Sequence, residues 1–96
     1  MQATGWSNGS GTYGIRVGGQ NRERYFDPGW TSVHVEIEGR FYELPLTPSF
    51  WRHCPEIRGA PIGHWLRDKG LAAWPGGRPP LVNLIPLGGC RFRLCS

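Results

Sequence analysis

Two histidines, a cysteine and two tryptophans crowd into "TPSFWRHCPEIRGAPIGHWLRDKG", residues 47–70. These residue types bind metals or act as nucleophiles, so each chemistry sets a spacing to look for. A zinc site would draw on His53, Cys54 and His64, with Cys90 or Cys95 completing the set. Neighbouring side chains point to different sides of a helix or strand, so His53 and Cys54 could both ligate only on an unusual backbone. The other spacings match no common zinc motif. A nucleophilic site would set Cys54 beside His64 with Glu56 as the orienting acid, but nearness in sequence does not bring three groups together in space. No glycine-rich phosphate loop and no paired carboxylates occur elsewhere. The acidic alternation of Glu36 and Glu38, with Glu43, reads as a solvated strand face. The expectation is therefore a chain with no catalytic residue, no metal ligand and no cofactor, in which Cys54 is a small buried apolar residue and His53 and His64 lie at the surface or cap polar groups.

The stronger chemical signal is arginine. The chain holds 11 Lys and Arg against 7 Asp and Glu, for a formal charge of +4, and Lys69 is the one lysine. A planar guanidinium fork suits phosphate, carboxylate and guanine edges. A GC-rich coding sequence would also enrich Arg, Gly, Pro, Trp and Ala at the expense of Lys and Met, which accounts for the Arg:Lys ratio but leaves the net charge standing. Aromatics interleave with the arginines at Tyr25, Phe26, Trp30, Trp51 and Trp74, and exposed aromatics beside arginine are what base stacking and phosphate contact require. Arg22 with Arg24 in one loop, and Arg91 with Arg93 on one strand face, are the leading candidates for nucleic-acid contact, joined by Arg16 and Arg78.

These residues need elements to position them. Residues 1–11, "MQATGWSNGSG", are rich in Gly, Ser, Asn and Thr and read as a flexible arm, with a single globular domain over 12–96. "TYGIRV" reads as a first strand, and "GGQNRERYFDPGW" as a loop or one helical turn ended by Pro28-Gly29. In "SVHVEIEGRFYELPL" Val33, Val35 and Ile37 alternate with His34, Glu36 and Glu38, and Tyr42, Leu44 and Leu46 continue the period of two. This predicts a hairpin turning at Glu38-Gly39. Thr47 or Ser49 caps a short helix that Pro55 stops. A second helix starts at Pro61, places Ile62, Trp65 and Leu66 on one face and ends at Gly70. "LVNLIPLGGCRFRL" is a second hairpin folded at Gly88-Gly89, with Cys90, Phe92 and Leu94 inward and Arg91 and Arg93 outward. Pro86 marks an edge or a bulge.

The fold class is α+β, mostly antiparallel: a small, partly open β-barrel or bent sheet of about five strands with one or two short helices. The motifs "YFDPGWTSVHVEIEG", "PSFWRHCPEIR", "IGHWLRDKG" and "WPGGRPPLVNLIPLGGCRFRL" resemble, in their order, a family of small uncharacterised bacterial proteins of the mobile-element or integron gene-cassette type. That resemblance spans about Tyr13 to Leu94 and implies no activity. The strand–helix–strand order is also similar to the DNA-binding pseudobarrels of plant transcription factors and some restriction enzymes, whose loops and strand faces enter the major groove. No base-reading motif of theirs aligns residue by residue.

The sequence thus predicts a small basic protein that binds nucleic acid, DNA foremost, through arginines on a loop and a strand face. The alternative is a protein–protein interaction or oligomerisation module without enzymatic activity, since hairpin edges and five tryptophans suit self-association. Three cysteines, an odd number, fit a reducing cytoplasm. No leader pattern and no long apolar run point to secretion or to a membrane.

Overall fold

The structure is a computed structural model describing residues 1–96. Its elements are β1 (Gln2–Ser7), β2 (Tyr13–Arg16), α1 (Gly19–Tyr25), β3 (Ser32–Ile37), β4 (Arg40–Pro45), α2 (Pro48–Arg52), β5 (Glu56–Arg58), α3 (Ala60–Asp68), β6 (Leu81–Gly88) and β7 (Arg91–Cys95). The segment with the sharpest period of two behaves as expected. Val33, Val35 and Ile37 are buried, and the chain reverses at Glu38 and Gly39, whose φ angles of 50° and 87° give the tight two-residue turn that matches strand twist. The β6–β7 hairpin reverses at Gly88 and Gly89, both at positive φ. Its register slips between Pro86 and Gly88, so the proline sits at a bulge and not within a regular ladder.

All seven strands join one sheet in the order β4-β3-β7-β6-β1-β2-β5. Neighbours are antiparallel except β3 and β7, which run parallel with His34 opposite Arg91 and Glu36 opposite Arg93. The sheet curls until its two edges approach, with Leu44 of β4 against Gly59 just beyond β5, which makes a nearly closed barrel. Ile15, Val33, Val35, Phe50, Ile57, Ile62, Leu66 and Leu84 are fully enclosed in its core. Helix α3 contributes Ile62, Trp65 and Leu66 from one face, as the 3.6 periodicity requires, and Gly70 at φ 70° follows its end. None of the helices is long and apolar enough to cross a membrane.

Besides α1, a third helix where a loop or one helical turn is expected, two expectations fail. Residues 1–11 are not a flexible arm, because Gln2–Ser7 form a strand inserted between β6 and β2. The inward positions of β1 are Ala3 and Gly5, so the strand has the right alternation without the large apolar residues that reveal one in sequence. Gly5 is small for a reason: a Cβ there would come within 2.9 Å of Pro80. Its amide bonds the Pro80 carbonyl at 2.9 Å. The second miss is β5. Three residues after Pro55 are too few to show a period, but they pair with β2 from Gly14↔Arg58 to Arg16↔Glu56. Together β1 and β5 raise the strand count from about five to seven.

Candidate nucleic-acid interface

The residues first weighed for metal or nucleophilic chemistry are dispersed. His53 is exposed just past α2, Cys54 is half-buried, and His64 is exposed on α3. Nowhere do three or more His, Cys, Asp or Glu side chains gather as a ligand set. The Glu56 carboxylate is committed elsewhere, as described next.

Cross-strand pairing builds the most organised polar group. Arg16 of β2 lies directly opposite Glu56 of β5, and Gly14 lies opposite Arg58, so these positions share the outer face of the sheet. The Glu56 side chain is only 1% exposed. A carboxylate so enclosed must be compensated, and it accepts Arg16 Nη1 at 3.0 Å with Arg58 Nη2 at 3.7 Å. Both arginine side chains remain partly open to solvent, at 51% and 41%. The trio therefore carries a net charge of about +1, with each fork held in place by a buried anchor while part of its donor set faces outward.

An aromatic ring completes the group. Trp6 of β1 pairs with Gly14, and Gly14 pairs with Arg58. With no side chain between them, Trp6 and Arg58 meet, the guanidinium carbon lying 4.7 Å from the indole centroid. A Cβ at position 14 would collide with the Ile57 carbonyl. The same outer face continues through Thr4, opposite Arg16, to Leu81, which is 61% exposed. Beside Arg16 and Thr4 lies a shallow hollow of 230 Å³, also lined by Leu81, Val17 and Gly18. Guanidinium forks, a hydroxyl, a π surface and an apolar side chain thus share one strip. Guanidinium forks of this kind donate to anionic oxygens, and an indole offers a π face to a planar ring.

More arginine–aromatic contacts gather around Tyr13, the residue before Gly14. Arg67 of α3 lies over the Tyr13 ring at 5.5 Å, and Trp74 packs edge-on against that ring at 5.7 Å. Arg78 is exposed in the turn closed by its amide on the Pro75 carbonyl, two residues before Pro80 docks on β1.

Of the six arginines singled out in the sequence, Arg16 lies in this strip and Arg78 in the loop that docks on β1. Arg22 turns inward: its side chain is 16% exposed, and it donates to the Phe50 carbonyl at 3.0 Å and contacts Glu23 at 3.4 Å, fastening α1 to α2. Arg24 is exposed beside Tyr25. Arg91 and Arg93 do share the outer face of β7, but parallel pairing sets the acidic face of β3 alongside them. Arg93 bonds Glu36, whose hydrogen bond and charge raise the guanidinium further above its already high ordinary pKa. Arg91 stands next to His34, which is itself next to Glu43. The β7 face is thus partly neutralised, and the most organised polar group instead includes Trp6, Glu56 and Arg58. Trp6 was hidden in the supposed arm. The clue available in sequence was Gly14 inside an otherwise regular strand, which marks close approach of neighbours.

Compared with known proteins, the chain matches no family model, no curated protein and no solved structure.

Proposed function

We propose that the chain binds single-stranded nucleic acid along the outer face of β6, β1, β2 and β5, as a small basic binding protein without catalytic activity. The observation that carries this reading is the Arg16–Glu56–Arg58 bridge capped by Trp6. Four of the seven acidic residues, Glu23, Glu36, Glu38 and Glu56, are held in ion pairs, whereas Arg24, Arg40, Arg52, Arg67, Arg78 and Arg91 have no carboxylate within 4.0 Å. The net positive charge is therefore available to a polyanion. Single strands are favoured because an indole and a stacked guanidinium read the face of an unpaired base, which a duplex hides. Arg16 and Arg58 stand two residues apart along the strand direction and one strand apart, about 8 Å, a span that lets them contact different phosphates of one strand. Three cysteines in no disulfide suit a reducing cytoplasm.

Anisotropy of labelled single-stranded and duplex oligonucleotides, titrated from about 50 to 200 mM salt, tests the reading. The informative variant replaces the whole bridge, Arg16→Met with Glu56→Leu and Arg58→Met, so that no buried charge is orphaned. Its melting temperature should stay near that of the wild type. The slope of log affinity against log salt should shrink by about 1.4 on single strands, the value for two phosphates. Wild-type protein that fails to bind even at the lowest salt, or a bridge variant with the full slope, rules the reading out.

One observation favours the alternative, a protein-interaction or self-association module. Phe41, 49% exposed, and Ile85, 41% exposed, flank the Glu36–Arg93 pair in a single cross-strand row on the outer face of β4, β3, β7 and β6. If oligonucleotides do not bind, Phe41→Ser with Ile85→Ser should abolish any concentration-dependent association seen by sedimentation.

A further inference from the structure

At another part of the surface, away from the Trp6 strip, α1, α2 and the loop before β3 enclose an open groove of 670 Å³. Its walls include Trp30, Trp51, Pro28 and Pro48, with Glu23 and Arg52 also bordering it. Both indoles are half-buried and fixed from behind. Trp30 packs edge-on against Phe26 at 6.1 Å and Phe92 at 6.3 Å, and Trp51 against Phe50 at 5.0 Å. Neither indole N–H meets an acceptor within the chain, and no side-chain nitrogen shut off from solvent lacks a partner, so both donors keep contact with solvent.

We infer that this groove binds an extended, proline-containing peptide segment of a partner protein, with a basic residue of that segment set against Glu23. Tryptophan nitrogen donates and never accepts, so a fitting ligand brings carbonyl oxygens that are not already hydrogen-bonded. A polyproline II segment has all its carbonyls free, loses little entropy on binding and presents flat apolar rings to aromatic walls. The groove is pre-organised to match, since its tryptophans are held by the core and its two prolines are rigid. The charges select the ligand's polarity. Glu23 is 73% exposed and meets Arg22 through Oε1 alone, at 3.4 Å, leaving Oε2 for a ligand cation. Arg52, with no carboxylate partner of its own, suits an acidic group or a carbonyl of the same segment. Glu23 and Arg52 together leave the groove lining without net charge, which sets this site apart from the positively charged bridge of the proposed nucleic-acid strip.

The probe is a fluorescently labelled oligoproline peptide ending in one arginine, read by anisotropy. It should bind the wild type, and Trp30→Phe and Trp51→Phe should each weaken binding about tenfold, the loss of one hydrogen bond with the ring packing kept. Glu23→Gln should weaken the arginine-ended peptide alone and leave a glutamine-ended one unchanged. In the wild type, without any substitution, the assigned indole N–H resonances of Trp30 and Trp51 should shift on titration while that of buried Trp65 stays in place. The inference is overturned if an alanine-substituted peptide binds equally well, or if the two indole resonances do not move. It is also overturned if a single-stranded oligonucleotide displaces the peptide, which would make the groove part of a nucleic-acid site. Peptide binding that is absent while Trp51→Phe abolishes self-association would assign the groove to a second copy of the chain and likewise overturn it.

Discussion

Glu56 shows how unequal the ion pairs of this chain are. Its carboxylate is 1% exposed and depends on two guanidiniums, so removing the nearer one leaves a buried charge held by Arg58 at 3.7 Å. Arg16→Ala should lower stability by about 1 to 3 kcal/mol in urea unfolding, the range for a buried polar group deprived of its partner. If the urea midpoint of Arg16→Ala equals that of the wild type, water reaches the carboxylate and the bridge is not a rigid anchor. Arg93→Ala, at a pair whose arginine is 51% exposed and whose Glu36 is partly buried, should by contrast move the midpoint much less than Arg16→Ala. Glu36 raises the Arg93 pKa. A raised basic pKa contributes stability below the unfolded value and loses it only as pH climbs through the folded value, so this pair should add no pH dependence on its arginine side between neutral and moderately alkaline conditions. Neither role was legible from composition. Arginines look alike in a sequence, and the register of β2 with β5 and of β7 with β3 decides which are anchored, which are neutralised and which stay free.

At the scale of elements, legibility followed the size of the inward residues. The β3–β4 and β6–β7 hairpins and α3 were readable because Val, Ile, Leu, Phe and Trp mark their buried positions at periods of two or 3.6. Strand β1 carries Ala3 and Gly5 at the same kind of positions and was invisible, although its pairing is as regular. Strand β5 was too short, and α1 has no buried residue to set a period. The readable helix makes a firm prediction. Trp65 is 3% exposed and shares its face with Ile62 and Leu66. Trp65→Ala should destabilise the fold by about 3 to 5 kcal/mol, measured by thermal or urea unfolding. Gly14 makes the complementary one. Because an added methyl would meet the backbone of β5 and not the end of a flexible side chain, Gly14→Ala should destabilise by about 1 to 3 kcal/mol. It should also part Trp6 from Arg58 and so weaken oligonucleotide binding more than a surface substitution of equal stability effect.

For the molecule as a whole, the consequential fact is that its first strand lies inside the sheet and not at an edge. Strand β1 pairs with β6 at Gln2↔Asn83 and with β2 at Thr4↔Arg16, so the barrel is continuous only if the two ends of the chain meet. Such long-range pairing must be closed before its contacts form, which makes folding slower than the short hairpins alone would suggest. Without β1, the inward-facing edges of β6 and β2 would both lose their ladder partners, and Val82 and Ile15 beside them would be uncovered. Deleting residues 1–7 should therefore abolish cooperative unfolding and expose apolar surface to a dye such as ANS. A true flexible arm could be removed with no change in melting temperature. Adding the synthetic peptide of residues 1–11 to the truncated chain should restore the cooperative transition in proportion to peptide concentration, because ligand that binds only the folded form stabilises it by mass action. The same peptide carrying Gly5→Val should fail to do so, since the new side chain would meet Pro80 and Trp74. A truncated chain that melts like the full one would show that the six strands left close into a stable barrel by themselves, and that β1, with Trp6 upon it, is an appendage of the fold.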